Sequence, residues 1–454
     1  MDWILEKINS HAARTAFVSG SRSVSYAELH ASIGVWQHRL GEYGIGRGGV
    51  VAVIGDYSPE LASLLVALLI NRNIVVPLTC ETRPQHPRFM QLAGVEFVFQ
   101  FSADNRDFNV SAHNHPDHHE HIKSLRRAAE SGLILFTSGT SGESKGAVLS
   151  VDRLFEKFRT ETSRPEKALR SLVFLKLDHI GGINTLCSIL FSGGTVISTG
   201  DRSPGSVCEV IEQHRVELLP TTPTFLNMLL LSGIYQKYDL SSLRMITYGT
   251  EPMPKSTLLA VNRVFPEMKF KQTYGLTELG ILSTRSKDSH SDWVMIGGEG
   301  IETKVVNNIL YIRTRCAMLG YLNAKSPFTD DGWYITGDRV EVDGDYFRIL
   351  GRESEIINVG GEKVYPVEVE SALLEMDNVR DVLVQGKSNP VTGHIVTALF
   401  VLEKPEDQRA LQSRVYNHCR DRLEPFKIPK LIKISDQEFV GGRLKKMRSA
   451  QMKA

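Results

Sequence analysis

Short apolar runs alternate with amphipathic segments through the first two-thirds of the chain, and this alternation limits the possible folds more than any other feature. Residues 50–54, 133–136, 171–175, 195–198, 216–219 and 245–248 read as buried strands. Residues 58–71, 182–191, 207–214 and 223–231 carry apolar positions at helical spacing. Strand and helix in alternation predict an α/β fold of parallel-type sheets flanked by helices. From 294 to 350 short strands are broken by Asn307-Asn308, Asp330-Asp331-Gly332 and Asp343-Gly344-Asp345, which predicts a small β-rich subdomain. After Gly351-Arg352 the alternation restarts over 364–374, 379–385, 394–402, 407–422 and 430–435 as a compact α/β unit.

At 454 residues the chain is long enough for two or three domains. A formal net charge of +1 argues against nucleic acid or a membrane as the main partner. The longest apolar run, 61–70, falls well short of the roughly 20 residues needed to span a bilayer. The opening Met1-Asp-Trp-Ile-Leu-Glu-Lys lacks the basic region and apolar core of a signal peptide. Cys80, Cys187, Cys208, Cys316 and Cys419 are scattered without metal-type or redox-type spacing, which fits a reducing compartment, so a cytoplasmic location is expected. His113, His115, His118, His119 and His121 form a biased patch; without accompanying Cys/His spacing it reads as a solvated loop in preference to a metal site.

The most specific chemistry lies in Leu135-Phe-Thr-Ser-Gly-Thr-Ser-Gly-Glu-Ser-Lys145-Gly-Ala-Val148. Thr137, Ser138, Gly139, Thr140, Ser141 and Gly142 form a loop of hydroxyls and unhindered backbone N–H groups, and Lys145 adds a cation. Such a loop suits a polyphosphate. It is not a Walker A loop, because Gly146 and not Ser or Thr follows the lysine. Three more stretches follow in order: Tyr274-Gly-Leu-Thr-Glu278, Trp333-Tyr-Ile-Thr-Gly-Asp338, and a long segment from Gly351-Arg352 through Gly360-Gly361-Glu-Lys363 to Glu368.

Together these motifs resemble the adenylate-forming superfamily of acyl- and aryl-CoA synthetases, peptide-synthetase adenylation domains and luciferases. The resemblance runs from Tyr26-Ala-Glu-Leu29 to the basic tail and is strongest to a stand-alone acyl-CoA synthetase. It implies an N-terminal core over 1–352 holding ATP and an acyl pocket, a mobile C-terminal domain over 353–454, and a hinge near 352–354. The implied reaction joins a carboxylic acid to the α-phosphate of ATP, releases pyrophosphate, and passes the acyl group to a thiol. Coenzyme A is the expected acceptor; phosphopantetheine on an acyl carrier protein, or an amine, are alternatives. A non-catalytic nucleotide- or acyl-binding relative is a reading of another class. An ordinary P-loop NTPase, which would release ADP, is disfavoured by the loop itself.

Residue by residue, the loop from Thr137 to Lys145 would hold the β- and γ-phosphates. Glu278 is the expected Mg2+ ligand, since a hard cation on phosphates prefers an oxygen anion, and Thr277 would reach the α-phosphate. Asp338 can accept from both ribose hydroxyls, with Arg352 as a second ribose contact. Gly249, Thr250 and Glu251 correspond to the family's adenine-side loop, and Tyr274 would stack on the base. His179 would line the carboxylate site, with Asp178, Gly249 and Gly275 in the acyl pocket. Gly360 and Gly361 would border the pantetheine channel in the second step. Plainer readings stand beside these: a loop carboxylate for Glu278, a turn residue for Asp338, a core tyrosine for Tyr274 and a satisfied core histidine for His179.

The pattern breaks in four places. Arg443, in Gly441-Gly442-Arg443-Leu444-Lys445-Lys446, stands where the family has a catalytic lysine; either Arg443 serves, or Lys445 or Lys446 reaches in, or adenylation is weak. Ser354 occupies the hinge position, where Asp or Lys is usual, and Ser144 replaces a loop proline. Asp178 stands where an aromatic is common; it would pair with a substrate amine or bond the glycine turn that follows it. The chain is short around 79–124, which favours a small or aromatic acid over a long acyl chain.

Overall fold

The computed structural model describes residues 1–102, 107–113, 118–138, 143–160, 168–437, 439–441 and 446–447. Among these, two seven-stranded sheets, a six-stranded sheet and a five-stranded sheet carry the fold. The first large sheet runs Lys269–Gln272, Met245–Tyr248, Leu218–Thr221, Arg170–Leu172, Thr195–Ser198, Thr15–Ser19, Arg22–Ser25. Its pairs are parallel except the last, a hairpin. The second runs Gly320–Tyr321, Ser144–Ser150, Gly132–Ser138, Ile74–Leu78, Val50–Ile54, Phe97–Phe101, Phe108–Ala112. Only its three central pairs are parallel. The sheets are therefore mixed where the alternation predicts parallel ones. The connections 20–21 and 139–143 are too short for a crossover, which takes a dozen residues or more, so those strands fold back antiparallel.

Helices Tyr26–Glu42, Pro59–Ile70 and Ile180–Ser192 share one apolar cluster with strands of both large sheets. Pro59–Ile70 is apolar on nearly every side and buried accordingly, and its start is set by the Ser58 hydroxyl accepting from Leu61 N–H with proline at the first position. Helices Pro204–His214, Pro223–Ser232 and Lys255–Val264 cover the outer face of the first sheet. The β-rich subdomain is an antiparallel sheet ordered Thr284–Ser286, Trp293–Ile296, Tyr346–Arg352, Tyr334–Asp343, Ile309–Thr314, Ile301–Val306. Residues 357–432 build a separate core around the pair Val379–Asn389 and Gly393–Leu402, packed by helices Pro366–Leu373 and Gln408–Cys419. None of the described helices is long and apolar enough to cross a membrane.

Candidate active site

Segments from both large sheets, the β-rich subdomain and the tail meet around one cavity of about 490 Å³. Thr137 and Lys145 line it from the paired arms of the hairpin Gly132–Ser138 and Ser144–Ser150, where they are register partners. A loop that leads into an antiparallel strand lacks the strand–loop–helix build of a Walker A site. The Lys145 ammonium lies 5.4 Å from the centroid of the Tyr321 ring. Gly139, Thr140, Ser141 and Gly142 lie outside the described residues, as do Arg443 and Lys445, and only the backbone of Ser138 is described.

Two parallel strands of the first sheet, Met245–Tyr248 and Lys269–Gln272, end at the cavity, and their loops supply its floor. Carboxyl ends of parallel strands are where ligands bind in such sheets. Thr250 and Glu251 line the cavity from the first loop. Thr250 holds a φ of +74°, a strained conformation for a β-branched residue and one that clusters at functional sites. Gly249 does not line the cavity; a Cβ there would lie 2.4 Å from Thr273 Oγ1 and 2.7 Å from Thr273 O, so this glycine lets the two loops touch. Thr250 Oγ1 and Gln272 Oε1 are buried without a hydrogen-bond partner among the described residues. A purine edge, with its own donors and acceptors, fits a wall of that kind.

The second loop brings Tyr274, Gly275, Thr277 and Glu278 to the cavity. Glu278 is nearly buried and accepts a hydrogen bond from the Tyr321 hydroxyl. Burial, and then the Glu278 carboxylate, push the Tyr321 phenol far above its ordinary range, so it remains a donor. Tyr274 behaves likewise: burial and the neighbouring Asp338 carboxylate raise it well above the usual phenol, and its hydroxyl donates to Asp338 Oδ2.

Asp338 comes from the subdomain. Along Tyr334–Asp343 residues 334, 336 and 338 are buried in alternation, and Asp338 is a register partner of Arg352 on the next strand. Arg352 Nε lies 2.7 Å from Asp338 Oδ1. Arg352 Nη1 also donates to Thr336 O at 3.0 Å, while Thr336 Oγ1 accepts Asp338 N–H at 2.9 Å. Burial raises the Asp338 carboxyl above the ordinary aspartate range, opposed by Arg352 and the Tyr274 hydroxyl. The result is a carboxylate fixed in direction by two neighbours, on a backbone pinned by a third, at the cavity wall.

His179 lines the cavity and caps the helix Ile180–Ser192, its Nδ1 accepting Gly181 N–H at 3.1 Å. An accepting Nδ1 places the proton of the neutral ring on Nε2. Asp178 is buried, does not line the cavity, and accepts from Thr79 Oγ1 at 3.1 Å. That arrangement gives no support to a substrate-amine partner at Asp178. Gly360 and Gly361 sit in the exposed turn between Ile357–Val359 and Glu362–Val364, away from the cavity.

Lys446 lines the cavity, but its ammonium is committed elsewhere. With 9% of the side chain exposed, it donates to Val382 O at 2.7 Å and lies 3.0 Å from Asp381 Oδ1 and 3.6 Å from Glu370 Oε2. A cation held by two carboxylates and a carbonyl is poorly placed to leave for a phosphate. Tyr321, Tyr334, Thr336 and Lys325 also line the cavity without having been singled out in the sequence. The spacing of 334, 336 and 338 on one strand is the available signal for Tyr334 and Thr336; nothing local marks Tyr321, whose role depends on a distant partner.

Two family models fit this chain: one described as AMP-binding enzyme over residues 5–322, and one described as AMP-binding enzyme C-terminal domain over residues 368–450. The chain belongs to the AMP-binding enzyme family. The indoleacetate–CoA ligase of Aromatoleum aromaticum is 28% identical to this AMP-binding enzyme over 484 aligned positions, covering 96% of this chain and 94% of its own. A feruloyl-CoA synthase from an Amycolatopsis species is 27% identical over 486, with 96% and 94% covered. The crystal structure of the anthranilate CoA ligase AuaEII in complex with anthranoyl-AMP matches this AMP-binding enzyme with a TM-score of 0.81 at 19% identity, covering 96% of this chain and 93% of that one. That last likeness is one of fold.

Proposed function

We infer that this cavity activates a small or aromatic carboxylic acid with ATP and passes the acyl group to the thiol of coenzyme A. The enzyme is an AMP-forming, ATP-dependent acid–thiol ligase. In the first step a substrate carboxylate oxygen bonds to the α-phosphorus, and the bond to the β-phosphate oxygen breaks, releasing pyrophosphate. In the second the thiol sulfur bonds to the acyl carbon, AMP leaves with the former carboxylate oxygen, and the thiol proton passes to solvent. The observation that carries this reading is the convergence on one cavity of a phosphate-type hairpin base at Lys145, a carboxylate at Glu278, and the oriented Asp338.

The chain's own residues divide the work. Lys145 offsets charge on the outer phosphates while two anions approach each other. Asp338 accepts from the ribose hydroxyls, and Tyr274 flanks the base. Glu278 fits Mg2+, which usually takes one or two protein carboxylates and keeps phosphates as its other ligands; when bound, Mg2+ offsets phosphate charge. The two sequence relatives named above are ligases of indoleacetate and ferulate, and the aromatic preference follows them. The domains are assigned as 1–352 and 353–454, with the hinge at 352–354, and the location as cytoplasmic.

Incubation with ATP, Mg2+, an aromatic acid and coenzyme A is expected to yield AMP, pyrophosphate and thioester in equal amounts. Release of ADP and phosphate instead would contradict the reading. Glu278→Gln keeps an acceptor for Tyr321 but removes the anion. It is expected to raise the Mg2+ concentration for half-maximal turnover about tenfold, in line with one lost charge-assisted contact. An unchanged Mg2+ requirement would remove Glu278 from the metal site.

A further inference from the structure

The two domains touch at the first turn of one core helix and at a loop carboxylate beside a second. Helix Lys255–Val264 starts after Pro254, and no side chain of its own caps it. The acceptor comes from the C-terminal domain instead: Ser256 N–H donates to Ser371 Oγ at 3.0 Å, and the Ser371 hydroxyl donates to Ser256 Oγ at 3.1 Å. Ser371 lies on helix Pro366–Leu373. Nearby, Glu251 Oε1 accepts Thr224 N–H from the first turn of helix Pro223–Ser232 at 2.8 Å. Its other oxygen accepts Lys446 N–H from the tail at 3.2 Å. Glu251, read from sequence as an adenine-side residue, thus divides its carboxylate between the two domains.

First turns of helices carry unsatisfied N–H groups at the positive end of the helix dipole. At Ser256 the acceptor is lent by the other domain, and it satisfies the N–H only while the domains keep this arrangement. The same arrangement sets Lys446 in the cavity wall and leaves Gly360 and Gly361 exposed and apart from it. On the two-step reading, an arrangement with the tail at the cavity and the glycine turn apart from it belongs to the first half-reaction, and the second requires the turn to enter.

We propose that Ser371 and Glu251 are positioning residues of the first half-reaction, holding the C-terminal domain in the adenylate-forming arrangement, Ser371 by its bonds to the first turn of helix Lys255–Val264 and Glu251 by its bond to the tail backbone at Lys446. The proposal rests on the two-step reading above. The bonds are few and neutral or singly charged, so the bias is modest and each turnover can undo it.

Ser371→Ala removes both bonds between Ser371 and Ser256 without touching the cavity. Acid-dependent ATP–pyrophosphate exchange is expected to fall about fivefold, while thioester formation from supplied acyl-adenylate and coenzyme A holds or rises. Ser371→Thr, which retains the hydroxyl, is expected to restore exchange. Amide hydrogen exchange over residues 254–258 reads the docking with no substrate present and is expected to quicken about fivefold in Ser371→Ala. Equal loss in both half-reactions, or unchanged hydrogen exchange, would overturn the proposal. A wild-type enzyme silent with every acid would overturn the two-step reading, while hydrogen exchange would still decide the docking.

Discussion

Asp338→Ala is expected to lower kcat/KM for ATP by about a hundredfold to a thousandfold, the cost of losing two charge-assisted bonds to the ribose. The structure explains why so few atoms carry so much. Tyr274, Arg352 and the Asp338 backbone bond to Thr336 fix the carboxylate in one direction before nucleotide arrives. Removing it also strands the Arg352 guanidinium and the Tyr274 hydroxyl, so thermal stability falls as well. Asp338→Asn separates the two effects: it keeps the volume but turns an N–H toward a guanidinium or a phenol, and ATP binding is expected to fall nearly as far. Titration gives a second check. Burial raises this carboxyl above the ordinary aspartate range, so protonation silences the ribose acceptor at higher pH than for an exposed aspartate. ATP affinity therefore falls on acidification. The stability contribution has the opposite sign: the native carboxyl binds its proton more tightly than the unfolded one, so this group's contribution shrinks as pH rises from the unfolded to the native value. ATP affinity independent of pH in the weakly acid range would count against Asp338 as the ribose ligand.

Arg443→Ala is expected to lower acyl-adenylate formation about a hundredfold while sparing thioester formation from supplied acyl-adenylate. That magnitude matches loss of one preorganised charge at a transition state. Of the three tail cations named above, Lys446 is held by Glu370, Asp381 and Val382 O, which leaves Arg443 and Lys445 as the candidates for the first step. A matching Lys445→Ala decides between them. Gly361→Leu is expected to do the reverse. Gly361 has a φ of +95° in an exposed turn, and a Cβ there would meet nothing within 4 Å. Steric obstruction is therefore absent in this arrangement, leaving only local backbone strain. A selective loss of the thioester step would show that the turn works in a second arrangement. Equal losses in both half-reactions for both variants would contradict the division of labour.

Much of this was legible in the chain because it is written locally. The runs 195–198 and 245–248 are strands with those bounds, and Asn307-Asn308 is a two-residue hairpin turn with φ of 52° and 65°, where asparagine tolerates the left-handed region. Strand 216–219 was read two residues early because helix Pro204–His214 closes through Arg215 in a left-handed conformation, and Val216 N–H still bonds Ile211 O. Strand Ile74–Leu78 carries no clear mark in the sequence. Its Pro77 argues against an inner strand, yet pairing with Gly132–Ser138 stops at Val75, before the proline lacks a donor to give. The site was legible where motifs are contiguous: Tyr274, Thr277, Glu278, Asp338 and Arg352 do share one cavity. It was not legible where a role depends on distant partners. Nothing near Lys446 predicts Glu370, nothing near Asp178 predicts Thr79, and nothing near Glu251 predicts that the tail would bind it.

Acid-dependent ATP–pyrophosphate exchange across a panel of aromatic, short-chain, β-amino and medium-chain acids tests the central claim most directly, because it isolates the first half-reaction from the choice of acceptor. The account predicts exchange with aromatic acids, absent without acid, and lost in Asp338→Ala. Silence across the panel from an enzyme shown separately to bind ATP would contradict it, and would mark the chain as a binder of nucleotide that does not activate an acid.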